Sequence, residues 1–205
     1  DRPEVLYYRG NIDILNEHKS IAVVGSRKIS AVGAKLAYNA GSIIGKNGFN
    51  LVNGLALGCD AEALKGALAA GGKCAVVLPC GINEIYPKSN QWIAEEVLKQ
   101  GGCLISEYPE GTRPEKYRFV QRDRLQSGMS QGVLVVEAME KSGTMHTAEY
   151  AKKQNRRLAC YYHGLLKYST GNNVLENLYQ AAVIKTNEDL ENYLCEIADI
   201  EEYTQ

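Results

Sequence analysis

The sequence has little of what usually marks a catalytic centre. Its three histidines, His18, His146 and His163, are spread too widely to suggest a zinc site. Its six cysteines, Cys59, Cys74, Cys80, Cys103, Cys160 and Cys195, form no C-x-x-C pair, and several stand inside apolar runs. That pattern argues against a disulfide framework and points to reduced, mostly buried thiols in a cytoplasmic protein. There is no G-x-S-x-G, no P-loop lysine motif and no H-E-x-x-H, so no familiar hydrolase or phosphoryl-transfer constellation is readable. No catalytic residue, metal or cofactor is therefore expected. No apolar run approaches the ~18 residues of a membrane span, and no signal peptide is read. Excess charge is lacking too: 23 Lys and Arg stand against 24 Asp and Glu, a formal net charge of −1. Any polyanion must therefore be held by positive charge gathered locally. The first residue is Asp1 rather than Met, so the 205 residues are expected to be part of a longer chain.

What is present is a regular alternation. Short, largely apolar runs (Ile21–Gly25, Asn50–Gly54, Cys74–Leu78, Cys103–Ser106, Val133–Glu137, Leu158–Tyr162) are separated by helical stretches. These stretches start at Ala31, Ala61, Asn90, Phe119 and Thr147. The run Tyr108–Lys116, with Pro109, Pro114 and Gly111, reads as a loop. A short helix over Asn173–Gln180, a strand Ala182–Ile184 and a helix from Glu188 close the chain. Strands apolar on both faces and separated by helices predict a doubly wound, mostly parallel α/β sheet with helices on both sides, a Rossmann-like fold. Residues 1–19 are expected as a lead-in packed on one core domain, residues 20–205.

In such sheets ligands bind beyond the carboxyl ends of the strands. After the first strand come Gly25, Ser26, Arg27 and Lys28. They read as a phosphate-binding turn before a helix N-terminus, or as a plain tight turn with two solvated cations. This is not the G-x-G-x-x-G fingerprint. After the second strand, Gly54 and Gly58 suit a backbone nest for phosphate, and Asp60 is as well read as a helix cap. After the third, Tyr86 is an aromatic that could stack on a base. Arg118, Arg122 and Arg124 follow, with Phe119 among them. Residues four apart are helical neighbours, so these arginines are expected to share a face and meet successive phosphates while Phe119 stacks. The alternative is a solvated basic helix paired to acids. After the fifth strand, Ser142, Gly143 and Thr144 form another anion-facing helix start, with Thr147 a candidate cap. Glu107 and Glu137 end strands and either face the cleft or anchor loop arginines.

These pieces fall in a recognisable order. Leu6 to Asn11, Val23-Val24-Gly25-Ser26-Arg27, Asn53-Gly54-Leu55-Ala56-Leu57-Gly58-Cys59-Asp60, Cys80-Gly81-Ile82 with Tyr86-Pro87, and Ile105 to Pro109 come first. Phe119 to Gly128, Ser142-Gly143-Thr144 and Gly171-Asn172-Asn173 follow. Over about residues 5 to 190 the chain resembles the DNA-processing protein A (DprA/Smf) family, whose motifs read S-G-L-A-x-G-I-D and F-x-x-R-N-R-I-I-A-G. Asp123 stands in place of the family's usual asparagine, and Asn53 and Cys59 in place of serine and isoleucine. The resemblance implies a homodimer that binds single-stranded DNA and helps load a RecA-type recombinase during DNA uptake. It also implies phosphate contacts from Arg27 and from the Arg122/Arg124 segment. The runner-up is a nucleotide sensor or a phosphoribohydrolase-like enzyme with a related core. Those enzymes carry P-G-G-x-G-T-x-x-E, and here Thr147 stands where their catalytic glutamate belongs.

Overall fold

The computed structural model describes residues 2–199. Asp1 and the last six residues of the expected core, 200–205, lie outside the described residues. The chain begins with strand β1 (Tyr7–Gly10) and the single turn α1 (Ile14–Glu17). Then come β2 (Ser20–Val24), α2 (Ala31–Lys46), β3 (Asn50–Asn53) and α3 (Cys59–Ala69). They are followed by β4 (Cys74–Val77), α4 (Gln91–Lys99), β5 (Cys103–Ser106) and α5 (Lys116–Gly128). The remainder is β6 (Gly132–Val135), α6 (Thr144–Lys153), β7 (Arg157–Tyr161), α7 (Thr170–Leu178), β8 (Ala182–Ile184) and α8 (Asn187–Ala198).

The described strands make one eight-stranded sheet in the order β1-β5-β4-β3-β2-β6-β7-β8, parallel except for β1. Strands β2 to β6 are buried along their whole length. One apolar layer, with Leu51, Leu64 and Ile93, packs under α2, α3, α4 and α8. The other, with Val52, Ile105 and Leu125, packs on the opposite face. This is the doubly wound α/β fold expected from the sequence.

Residues 1–19 are more than a packed lead-in. Tyr7–Gly10 pairs antiparallel with β5, Tyr8 opposite Ile105, and so extends the sheet. All four residues are exposed, so no apolar run announces the strand. Three helices start three residues earlier than expected, α5 at Lys116, α6 at Thr144 and α7 at Thr170. Their first turns are polar and carry no side-chain cap, so neither periodicity nor a capping residue marks them.

The sheet order places the site. From β2 the chain winds outward through β3, β4 and β5, then returns to lay β6 on the other side of β2. The connections after β2 and β6 therefore diverge, and a crevice opens beyond their carboxyl ends. Helices α2 and α3 cross closely because Gly41 and Gly66 have no side chains. A Cβ at either would overlap the backbone carbonyl of the facing helix, Ala63 or Tyr38. No described helix is long and apolar enough to cross a membrane.

Candidate functional site

A cleft of about 880 Å³ lies at this switch point, lined from β2, β3, α5 and the β6–α6 connection. Four exposed cations reach it, Arg27, Lys28, Lys116 and Lys141, besides the buried Arg122. None of the four forms an ion pair with a described residue. Arg27 lies over the Phe119 ring, its Cζ 5.0 Å from the centroid, and Tyr86 meets Phe119 edge-on with ring centroids 5.5 Å apart. Arg27, Phe119 and Tyr86 thus make one wall that is both cationic and aromatic.

The glycine turns are built differently from the phosphate nests expected of them. Asp60 stands inside α3, where its Oδ2 accepts from Gly54 N at 3.0 Å and Ala56 N at 3.3 Å. Two of the amides after β3, those of Gly54 and Ala56, already hold the protein's own carboxylate, so the turn between Gly54 and Gly58 is not an empty cradle for an outside anion. Their roles are steric. A Cβ at Gly54 would overlap the Arg122 guanidinium, and one at Gly58 (φ +74°) would lie 2.5 Å from the Ser26 carbonyl. Asn53 and Asn90 complete the loop. Asn53 donates to Asp60 O at 3.0 Å and accepts from Leu55 N, while Asn90 donates to Leu55 O at 2.9 Å.

The turn after β2 is filled in the same way. Glu137, fully buried, accepts from Ser30 N at 2.7 Å and from Tyr168 N at 3.1 Å through its two carboxylate oxygens. Its carbonyl accepts from Ser26 N at 2.7 Å. Ser26 Oγ accepts from Lys28 N, and Ser30 caps α2 through Gly33 N. Gly25 keeps its bare Cα because Cys59 Sγ would lie 2.7 Å from a Cβ there. The side chains of Arg27 and Lys28, rather than this backbone, are left to meet a ligand. Glu137 therefore anchors backbone, whereas Glu107 anchors an arginine.

The third turn is open. Helix α6 starts at Thr144 with Gly143 as its cap and no side-chain capping bond, and nothing lies within 4 Å of where a Gly143 Cβ would be. Ser142 Oγ is buried and has no hydrogen-bond partner among the described residues. Thr147, offered as a cap, is the fourth residue of the helix and is buried.

The arginine face on α5 does not form. Arg122 is 4% exposed; its Nη1 donates to Val77 O at 2.6 Å and its Nε to Asp123 Oδ1 at 3.3 Å. It reaches the cleft only as part of the floor. Arg124 is two residues on, hence on another side of the helix. It is clamped by Glu107 through two bonds of 2.6 Å, away from the cleft. Salt bridging to Glu107 holds its pKa above the usual arginine range. Arg118 pairs with Glu115 and packs over Tyr108. Phe119 alone of this segment stands where it was expected.

The floor is acidic. Asp60 and Asp123 flank Arg122, and burial raises both carboxyls, Asp123 to about 6. Lys116, Lys141 and Gln126 are cleft residues to which sequence reasoning assigned no role, although Lys141 opens the candidate turn after the fifth strand. The two lysines are isolated cations in loop sequence, and Gln126 carries no motif. The only signal for them is position, just before a helix or one turn beyond Arg122.

The fold is Rossmann-like, and the cleft lies at the switch point where domains of this class bind their ligands. Comparison with known proteins narrows this: the chain belongs to the DNA recombination-mediator protein A family, whose model matches residues 1–194. It is 38% identical over 157 residues to the protein Smf of Synechocystis, covering 75% of this chain and 39% of that protein. It spans about half the length, or less, of the curated relatives it matches. Among solved structures it is similar to DNA processing protein A from Helicobacter pylori, a structure described for its single-stranded DNA binding mode. There the TM-score is 0.86 at 30% identity, covering 96% of this chain and 89% of that one. It is also similar to DNA processing protein A from Streptococcus pneumoniae, with TM-score 0.81 at 30% identity, covering 98% and 68%.

Proposed function

We propose that the switch-point cleft binds single-stranded DNA, and that the chain assists recombinase loading during DNA uptake or processing. The observation that carries this reading is the wall of Arg27, Phe119 and Tyr86 standing among three further exposed cations. Cations that track a backbone beside aromatic faces that stack bases are the general solution for single strands. Phosphates fall to Arg27, Lys28, Lys116 and Lys141, with the open α6 start at Ser142, Gly143 and Thr144 as a further seat. Ser26 supports that strip by holding Lys28 N. Arg122 and Arg124 hold the site together rather than touching phosphate.

The protein acts by binding, in the cytoplasm, as a homodimer with a RecA-type recombinase as its partner. Thr147 cannot replace the glutamate of the phosphoribohydrolases, because a hydroxyl near neutral pH is a poor general base. The test is a titration of dT20, a 20-base-pair duplex and ADP-ribose at one salt concentration. Binding of dT20 in preference to the other two is the expected result. Equal or tighter binding of duplex would overturn single-strand recognition, and tighter binding of ADP-ribose would favour a nucleotide sensor.

A further inference from the structure

Exposed apolar surface continues past the mouth of the cleft. Tyr86 lines the cleft, and a single 3-10 turn, Lys88–Asn90, leads from it into α4. Asn90 is buried. Its Nδ2 donates to Leu55 O at 2.9 Å and to Ala56 O at 3.2 Å, which ties the start of α4 to the β3–α3 loop. Ala56 lines the cleft as well. Leu57 follows Ala56, and Trp92 stands two residues beyond Asn90; both are exposed, as is Tyr86, and neither lines the cleft. Exposed apolar side chains scattered singly are ordinary on a protein surface. These three are joined to one wall by the Asn90 bonds.

Trp92 is the only tryptophan in the sequence and is 53% exposed, whereas tryptophan is highly buried on average. Helix α4 turns Ile93, Ala94 and Val97 to the core, and Trp92 stands off that face. Lys65 Nζ, from α3, lies 5.9 Å from the centre of its ring. The charges around it are already engaged: Lys65 with Glu62 at 2.8 Å, Lys99 with Glu96 at 3.2 Å, and Glu95 with Gln91 Nε2 at 2.9 Å. The patch therefore offers a broad aromatic face and little net field.

From the juxtaposition of Trp92 and Leu57 with the Tyr86 wall, we propose that Trp92 is a stacking platform outside the cleft for one base of a single strand. The inference rests on the single-strand reading of the cleft and adds a second station to it. Continuity fixes the occupant. A strand longer than the cleft runs out over one of its walls, and the wall at Tyr86 and Ala56 continues as exposed apolar surface through Leu57 to Trp92. Every base has a π-face, so the platform reads no sequence. Phosphates stay with the cations of the rim, Arg27, Lys28, Lys116 and Lys141, and the salt dependence of binding stays with them.

The experiment uses the intrinsic emission of the protein, which reports Trp92 alone because no other tryptophan is present. The emission is expected to be quenched by dT20, with the midpoint found by anisotropy of fluorescein-labelled dT20. The short strand dT3 is expected to displace labelled dT20 while leaving the emission unchanged, because it fills the cleft alone. Trp92→Ala is expected to weaken dT20 about tenfold, within the range for removing one base–aromatic stack. Its salt slope should stay within about 0.2 of the parent, since no phosphate contact is lost. Trp92→Phe keeps a ring and should recover most of the affinity; a Phe variant as weak as the Ala variant overturns stacking. Binding of dT20 with unchanged emission, or with Trp92→Ala equal to the parent, overturns the proposal while the single-strand reading stands, and leaves the patch to a protein partner. Quenching by dT3 as deep as by dT20 overturns the placement outside the cleft. A Trp92→Ala slope reduced by about 0.7 assigns the loss to a phosphate contact and overturns stacking too. No binding of dT20 at all ends both readings.

Discussion

Arg122 occupies the space that a side chain at Gly54 would need. Its guanidinium lies against the bare Cα of residue 54 while Nη1 donates to Val77 O at 2.6 Å, tying α5 to the end of β4. Gly54→Ala must therefore displace a buried, hydrogen-bonded charge. The expected cost is about 3 kcal/mol or more, the range for overpacking combined with an uncompensated buried ion. Gly143→Ala, with open space around the added methyl, is expected to change stability by less than about 1 kcal/mol. Urea unfolding of the two variants checks the contrast, and equal midpoints would contradict it.

Affinity is expected to come from the rim. For single strands each phosphate neutralised contributes about −0.7 to the slope of log affinity against log salt, so four cations predict a slope near −3. Arg27→Ala should weaken binding of all sequences alike and reduce the slope by about 0.7, and Lys116→Ala or Lys141→Ala should reduce it similarly. Anisotropy titrations of dT20 from low to moderate salt measure this. If none of these three substitutions moves the slope, the strand does not run along this rim.

Arg124 behaves differently under the same assay. Its two 2.6 Å bonds to Glu107 form a largely buried pair, with side-chain exposures of 10% and 17%. Removing one partner of such a pair costs about 3 kcal/mol, because the other is left charged and buried. Arg124→Met is expected to lower the unfolding free energy by that order while leaving the salt slope of the folded protein within about 0.2 of the parent. A lost slope with intact stability would return Arg124 to the DNA contacts.

The fold was legible because β2 to β6 are largely apolar runs with no polar–apolar alternation, and that pattern admits few arrangements besides a covered parallel sheet. Strand β1 was not, because Tyr7-Tyr8-Arg9-Gly10 is an exposed edge whose pairing with β5 is set by tertiary contact. The site was legible in position and not in detail. A glycine turn before a helix shows where an anion could sit. It does not show that Asp60 and Glu137, from elsewhere in the fold, already fill the turns at Gly54 and Ser26. Likewise helical spacing puts Arg118 and Arg122 on one side of α5, but only the packing shows that Arg122 is buried in the floor, that Arg118 turns to Glu115 and Tyr108, and that Glu107 waits for Arg124.

Asp123 supplies a test of the buried floor by pH. Burial pushes its carboxyl up to about 6, opposed by Arg122 and assisted by Asp60, with His146 nearby lowering it. In the unfolded chain the same group titrates at about 4. Between those values the native state binds more protons than the unfolded one, so this group's contribution to stability falls as pH rises from about 4 to 6 and is absent above. Two pKa units bound the effect at about 3 kcal/mol. Asp60, raised by burial as well, acts in the same direction and remains in the variant. Asp123→Asn removes only the Asp123 part. The difference in unfolding free energy, variant minus parent, is therefore expected to grow in the variant's favour from pH 4 to pH 7 and then level off. Its size should be on the order of 1–3 kcal/mol. The same substitution should tighten dT20 binding at pH 7.5, where the parent's carboxylate is ionised beneath the strand, and have less effect at pH 5, where it is mostly protonated. A stability difference that stays flat across this range would mean that Asp123 titrates as an ordinary surface carboxylate, and the acidic floor would lose its basis.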